Sequence, residues 1–210
     1  MSTSPRRALL VIDVQNEYVT GELPIEYPPV QDSLANIARA IDAAHAHSVP
    51  VIVVQHIESP DASMFARGSH GAALHPVVAS RAYDHLIEKT LPSSFAGTDL
   101  ADWLAEHEID TLSVVGYMTH NCNVSTVLHA SHAGMTVEHL SDATGALPYE
   151  NDAGYASAEE IHRAFTVVMH SRFAAVIGTD AWIAAVEAGH AIERGSIGAS
   201  NKKARARVAA

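Results

Sequence analysis

Five apolar runs of strand length recur along the chain, at Ala8–Asp13, Val49–Gln55, Leu112–Tyr117, Met135–Leu140 and Phe173–Gly178, each rich in Val, Ile, Leu or Ala. Runs without polar alternation suit strands covered on both faces, and so a parallel sheet held between two layers of helices. A shorter segment, His85–Lys89, is expected to supply a sixth strand. The stretches between them have helical periodicity. The clearest is Ser33–His47, where Leu34, Ile37, Ala38, Ile41 and Ala44 share one face. Thr98 is placed to cap a helix carrying Leu100, Trp103 and Leu104; Ser157 and Glu160 have capping-box spacing; Gly134 is placed to end a helix that starts near Cys122. Strands alternating with helices give a three-layer α/β/α fold with a six-stranded, mainly parallel, doubly wound sheet and right-handed crossovers.

The 210 residues suffice for one core, read as a single domain over residues 1–194. The basic segment 195–210, with Lys202, Lys203, Arg205 and Arg207, reads as a solvated, flexible tail. Residues 17–30 and 56–82 are rich in Gly and Pro and read as long loops able to wall a pocket. Arg6 and Arg7 precede an apolar run, but Asp13 ends it too soon for a signal peptide or a membrane span, so the run is taken as the first strand.

Thirteen basic residues against 24 acidic ones leave a net charge of -11, which speaks against a nucleic-acid surface. Cys122 is the only cysteine, so no internal disulfide can form and a reducing, cytoplasmic setting is expected. A lone thiol is usually a small buried hydrophobe. Cys122, however, follows a strand by a short loop and stands where a helix opens, and N–H groups and the helix dipole favour a thiolate there. Asp13 closes the first strand, at the edge where doubly wound folds bind ligands, although a turn-capping carboxylate would look the same. Lys89, by itself, reads as a surface lysine.

Three blocks change the weight of these residues. Ala8-Leu9-Leu10-Val11-Ile12-Asp13-Val14-Gln15-Asn16-Glu17-Tyr18, then Asp84-His85-Leu86-Ile87-Glu88-Lys89 with Ser94-Phe95-Ala96-Gly97-Thr98-Asp99-Leu100, then Gly116-Tyr117-Met118-Thr119-His120-Asn121-Cys122-Asn123-Val124-Ser125-Thr126 follow one another in order. Together, with Asp142-Ala143 as a weaker match, they resemble the isochorismatase-like cysteine hydrolases over about residues 8 to 188. That resemblance implies a catalytic triad of Asp13, Lys89 and Cys122. It also implies a cis peptide between Tyr117 and Met118, and an oxyanion hole made by the backbone N–H groups of Met118 and Cys122. Tyr18, Thr119 and Asn121 are the positions it would turn towards a small-molecule substrate, ordinary loop packing being the other reading. It implies a homo-oligomer, dimer or tetramer, and neither a nucleic-acid nor a membrane partner.

The metal-assisted branch of that family uses an Asp-x-His motif after the second strand, where this chain reads Val54-Gln55-His56-Ile57-Glu58-Ser59. No cofactor or metal is therefore expected, although His56 and Glu58 alternate on an extended chain and both types bind zinc. The remaining histidines, His129 and His132 included, read as scattered surface residues. Isochorismatases proper cleave a vinyl ether and typically lack the cysteine, so Cys122 tilts the expectation to amide, carbamoyl, ureido or lactam hydrolysis through a thioester. A silent small-molecule-binding or assembly domain is the alternative. A dinucleotide-binding oxidoreductase is disfavoured, because Asp13-Val14-Gln15-Asn16 has no glycine fingerprint.

Overall fold

The computed structural model describes residues 4–208. Six parallel strands form one sheet: β1 (Arg7–Ile12), β2 (Val51–His56), β3 (His85–Lys89), β4 (Thr111–Tyr117), β5 (Thr136–Gly145) and β8 (Ala175–Ile177), in the order β3-β2-β1-β4-β5-β8. A small antiparallel hairpin, β6 (Tyr149–Asn151) and β7 (Gly154–Ala156), stands apart from it. The helices are α1 (Val30–Ala46), α2 (Pro76–Ala79), α3 (Leu100–Glu106), α4 (Val124–His132), α5 (Ala158–Arg172), α6 (Thr179–Glu187) and α7 (Ile197–Val208). The three-layer, doubly wound architecture expected from the apolar runs is thus the observed one.

Alternation along β1 shows why both faces had to be apolar. Leu9 and Val11 enter one core with Ile37 and Ile41 of α1 and Trp182 of α6. Ala8, Leu10 and Ile12 enter the other with Leu100 and Leu104 of α3, Val127 of α4 and Met169 of α5. All of these side chains are buried, and each large one contributes about 1.5–3 kcal/mol of burial free energy. β1 lies between β2 and β4, and from it the chain winds outward in both directions. The carboxyl ends of the strands therefore open onto a crevice at this switch point.

Several local readings shift. α1 begins at Val30, three residues before Ser33. Ser33 is not a cap: it is buried, with its hydroxyl 2.7 Å from Tyr117 Oη. α3 is capped at Asp99, and the Thr98 hydroxyl accepts from Leu100 N–H. The capping box at Ser157 and Glu160 is present in full. β5 runs past Leu140 to Gly145, with a register shift against β4 between Val114 and Gly116. The tail expected to be flexible is instead helical as α7, because Ala, Lys and Arg favour helix even where almost no face is buried. No helix among the described residues is long and apolar enough to cross a membrane.

Candidate active site

Asp13 follows β1 with φ 50, a left-handed conformation that Asp tolerates better than most residues. Its N–H donates to Val54 O, so the turn is tied to β2. Lys89 ends β3, two strands away, and the Met118–Cys122 turn follows β4. Close approach of β4 to β1 depends on Gly116, at φ 102, where an added Cβ would lie 2.0 Å from Ile12 O. The Tyr117–Met118 peptide is cis. Cys122 does not open α4 directly. It lies in a π-helical turn, Thr119–Asn123, held by Asn123 N–H to Met118 O at 3.1 Å and Asn123 Nδ2 to Gly116 O at 2.9 Å.

These elements bring Asp13, Lys89 and Cys122 together. Lys89 Nζ lies 2.7 Å from Asp13 Oδ2 and 3.3 Å from Cys122 Sγ. The Asp13 and Lys89 side chains are both 0% exposed. Apart from the ammonium, no protein group donates to either Asp13 oxygen. Burial alone would lower the Lys89 pKa, but Asp13 and then Cys122 outweigh it and hold the side chain as an ammonium. Burial pushes the Cys122 thiol well up, Asp13 adds to that and Lys89 opposes it. The resting sulfur is a thiol, which corrects the thiolate suggested by its place before a helix.

The Met118 N–H donates to no backbone carbonyl. Tyr18 is buried beside the triad, its ring packed on Phe65 and Tyr117 at centroid distances of 5.3 and 5.6 Å. Burial first, then Asp13 and Cys122, raise its phenol well above the ordinary value. Asn121 is half-buried, with its backbone N–H on Met118 O. Thr119 is turned inward. Its hydroxyl donates to Gly145 O at 3.1 Å and meets His162 Nδ1 at 2.9 Å, so of the two readings its contacts carry loop packing.

The histidines divide in a way composition did not show. His129 and His132 are exposed, but His139 and His162 are buried and His120 is half-buried. Burial lowers His120 and His162 to about 4 and His139 to about 3, so all three are neutral. Gln15, unassigned from sequence, accepts from His56 N–H at 2.9 Å and donates to His56 O at 2.8 Å and Ala72 O at 2.7 Å. His56 Nε2 is directed at Glu58 Oε1, 2.8 Å away, and no group of three or more potential metal ligands is gathered among the described residues. Two surface clefts, one beside Phe173 and Arg194 and one beside Tyr155 and Val167, lie away from the triad.

The model of the isochorismatase domain matches residues 7–181, a span that includes every strand of the main sheet. The chain belongs to the isochorismatase family. A crystal structure of a candidate isochorismatase from Burkholderia xenovorans LB400 is 67% identical, with a TM-score of 0.98, covering 99% of this chain and 100% of that one. Isochorismatase family protein YddQ of Bacillus subtilis is 32% identical over 84% of this chain and 98% of its own length. The nicotinamidase of Escherichia coli is 30% identical over 66% of this chain and 82% of its own length.

Proposed function

We propose that this isochorismatase-family hydrolase is a cysteine hydrolase that cleaves the C–N bond of a small amide, carbamoyl, ureido or lactam substrate through a thioester. The observation that carries the reading is the single ammonium, Lys89 Nζ, touching both a buried carboxylate and a buried thiol. Likeness to a nicotinamidase, which acts on an amide, adds to it.

In this reading Asp13 removes the thiol proton as Cys122 Sγ bonds to the carbonyl carbon. Asp13 suits that task because its oxygens lack other donors and can accept a proton without breaking a network. The carbonyl oxygen gains the negative charge, and the N–H groups of Met118 and Cys122 stabilise it as it forms. Asp13 then returns the proton to the nitrogen, the C–N bond breaks, and an amine or ammonia leaves an acyl-thioester on Cys122. Water adds to the thioester with Asp13 as base, and collapse releases the acid and restores the thiol. Lys89 stays charged throughout and offsets the negative charge that moves between Asp13, sulfur and oxygen.

The test is a panel of primary amides, ureido acids and lactams, followed by ammonia release and by intact mass. A substrate-dependent mass gain that is absent in Cys122→Ala is the expected result. Turnover that persists in Cys122→Ala removes the thioester route.

A further inference from the structure

The triad leaves one direction around Lys89 unaccounted for, and His56 occupies it. His56 Nδ1 lies 3.4 Å from Lys89 Nζ, a long contact, while His56 Nε2 lies 2.8 Å from Glu58 Oε1. An ammonium has three donors and no acceptor, and a carboxylate only accepts. The ring between them must carry its proton on Nε2, facing Glu58, and present the Nδ1 lone pair to Lys89. The three protons of Lys89 then have three acceptors: Asp13 Oδ2, Cys122 Sγ and His56 Nδ1.

The ring is held from several sides. His56 and Lys89 are register partners on adjacent parallel strands, which puts their side chains on the same face. Gln15 grips both backbone groups of His56, and Gln15 is two residues beyond Asp13, so the histidine is indexed to the Asp13 turn. Phe65 packs edge-on against the ring at 5.1 Å and 75°. Phe65 itself sits at φ 54, a conformation a bulky side chain adopts only when its surroundings enforce it. Glu58 N–H donates to Phe65 O at 2.9 Å, so one loop fixes both the carboxylate and the aromatic ring.

We infer that His56, with its tautomer set by Glu58, is the positioning residue for the Lys89 ammonium. The inference rests on the cysteine-hydrolase reading and explains something that reading leaves open. Asp13 alternates between carboxylate and acid during the cycle, so its hold on Lys89 weakens just when sulfur and oxygen carry charge. His56 keeps one protonation state and anchors the ammonium through those changes. A lysine without that anchor follows Asp13 and leaves the sulfur. The same geometry accounts for the His56 and Glu58 pair without a metal, since each ring nitrogen already faces a partner.

Variants graded by acceptor test this. His56→Leu removes the acceptor; His56→Asn returns an oxygen near the Nδ1 position; Glu58→Gln still accepts from Nε2–H, whereas Glu58→Leu does not. The kcat of His56→Leu is expected to fall about 10- to 100-fold with KM within about twofold, the size of effect that misplacing a reacting group produces. His56→Asn should recover about tenfold of that loss, Glu58→Gln should stay near wild type, and Glu58→Leu should fall between. Labelling of Cys122 by iodoacetamide at fixed pH, read by intact mass and needing no substrate, should slow in His56→Leu and recover in His56→Asn, because Lys89 lowers the thiol pKa.

Wild-type kcat and labelling in His56→Leu, or no gain in His56→Asn over His56→Leu, overturns the inference. Should His56→Leu fail to fold, equal loss in Glu58→Gln and Glu58→Leu overturns it instead. Activation of the wild-type protein by added zinc or manganese, lost in both His56→Leu and Glu58→Leu, overturns it in favour of a metal site. Full turnover in Cys122→Ala, or no labelling of wild-type Cys122, counts against the cysteine-hydrolase reading itself.

Discussion

Arg7 and Asp13 stand at opposite ends of β1, both buried and both paired with an opposite charge, yet their surroundings differ in kind. Arg7 Nε reaches both oxygens of Glu138, at 3.1 and 3.0 Å, and Nη2 reaches Oε1 at 2.8 Å. Arg7 also donates to His190 O, and Glu138 Oε2 accepts from Ser113 Oγ at 2.7 Å and Trp182 Nε1 at 3.0 Å. Asp13 has one ammonium and nothing else. A fully hydrogen-bonded carboxylate loses partners when it takes up a proton, whereas one with free lone pairs does not. Partner count, more than burial or charge, separates the pair that holds the sheet together from the pair able to move a proton.

Substitutions can break this contrast, beginning with the largest effect. Cys122→Ala should lower turnover by about three orders of magnitude or more, roughly 4 kcal/mol of barrier, while the melting temperature stays near wild type. Ammonia release and a thermal melt on the same sample read both halves. A large stability loss with little kinetic loss would invert the assignment of the two ends.

Acid probes the same contrast from another side, because neutral His120 and His162 lie on or against the turn that carries Cys122, and His139 is buried on β5. Their folded pKa values of about 3 to 4 lie below the unfolded value of about 6.5. The unfolded chain therefore binds more protons. Stability from these groups is full above about pH 6.5 and is lost as pH falls towards 4, at up to about 4 kcal/mol per pH unit near pH 5. Urea unfolding between pH 7.5 and 4.5 checks it, and a flat midpoint across that range contradicts it.

Arg7→Met should cost about 3 kcal/mol or more in urea unfolding, since it strands a buried carboxylate. The smallest effect is the sharpest. Replacing both partners, Asp13→Asn with Lys89→Met, should leave stability within about 1 kcal/mol of wild type, because few other groups depend on that pair. Arg7→Met with Glu138→Leu should still lose about 2 kcal/mol, because Ser113 and Trp182 each lose an acceptor. Equal losses from the two double replacements would erase the distinction drawn between the ends.

The sheet was readable because strands buried on both faces leave unbroken apolar runs, and β1 to β4 begin or end within two residues of those runs. β5 was read short, since beyond Leu140 it carries Ser141, Asp142 and Thr144. Asp142 there accepts from Thr179 N–H and O–H at the start of α6, a task invisible to hydropathy. α7 was missed for the converse reason: a helix with no buried face leaves no periodic stripe. At the candidate site, Asp13, Lys89 and Cys122 stood out only through three blocks taken together. Gln15, Phe65 and His162 have no local signature, because their roles arise from contacts across 41, 47 and 43 residues with His56, Tyr18 and Thr119.

The Thr119 hydroxyl has a consequence for how the protein is made. Its two partners, Gly145 and His162, lie well downstream of Cys122, so a ribosome has released the nucleophile long before the groups that fix its turn exist. Until α5 docks, the growing chain carries an ordinary cysteine on an unsettled loop. Hydrolytic competence is therefore gained late and at once, when nearly the whole domain has been synthesised, and incomplete chains carry no active site.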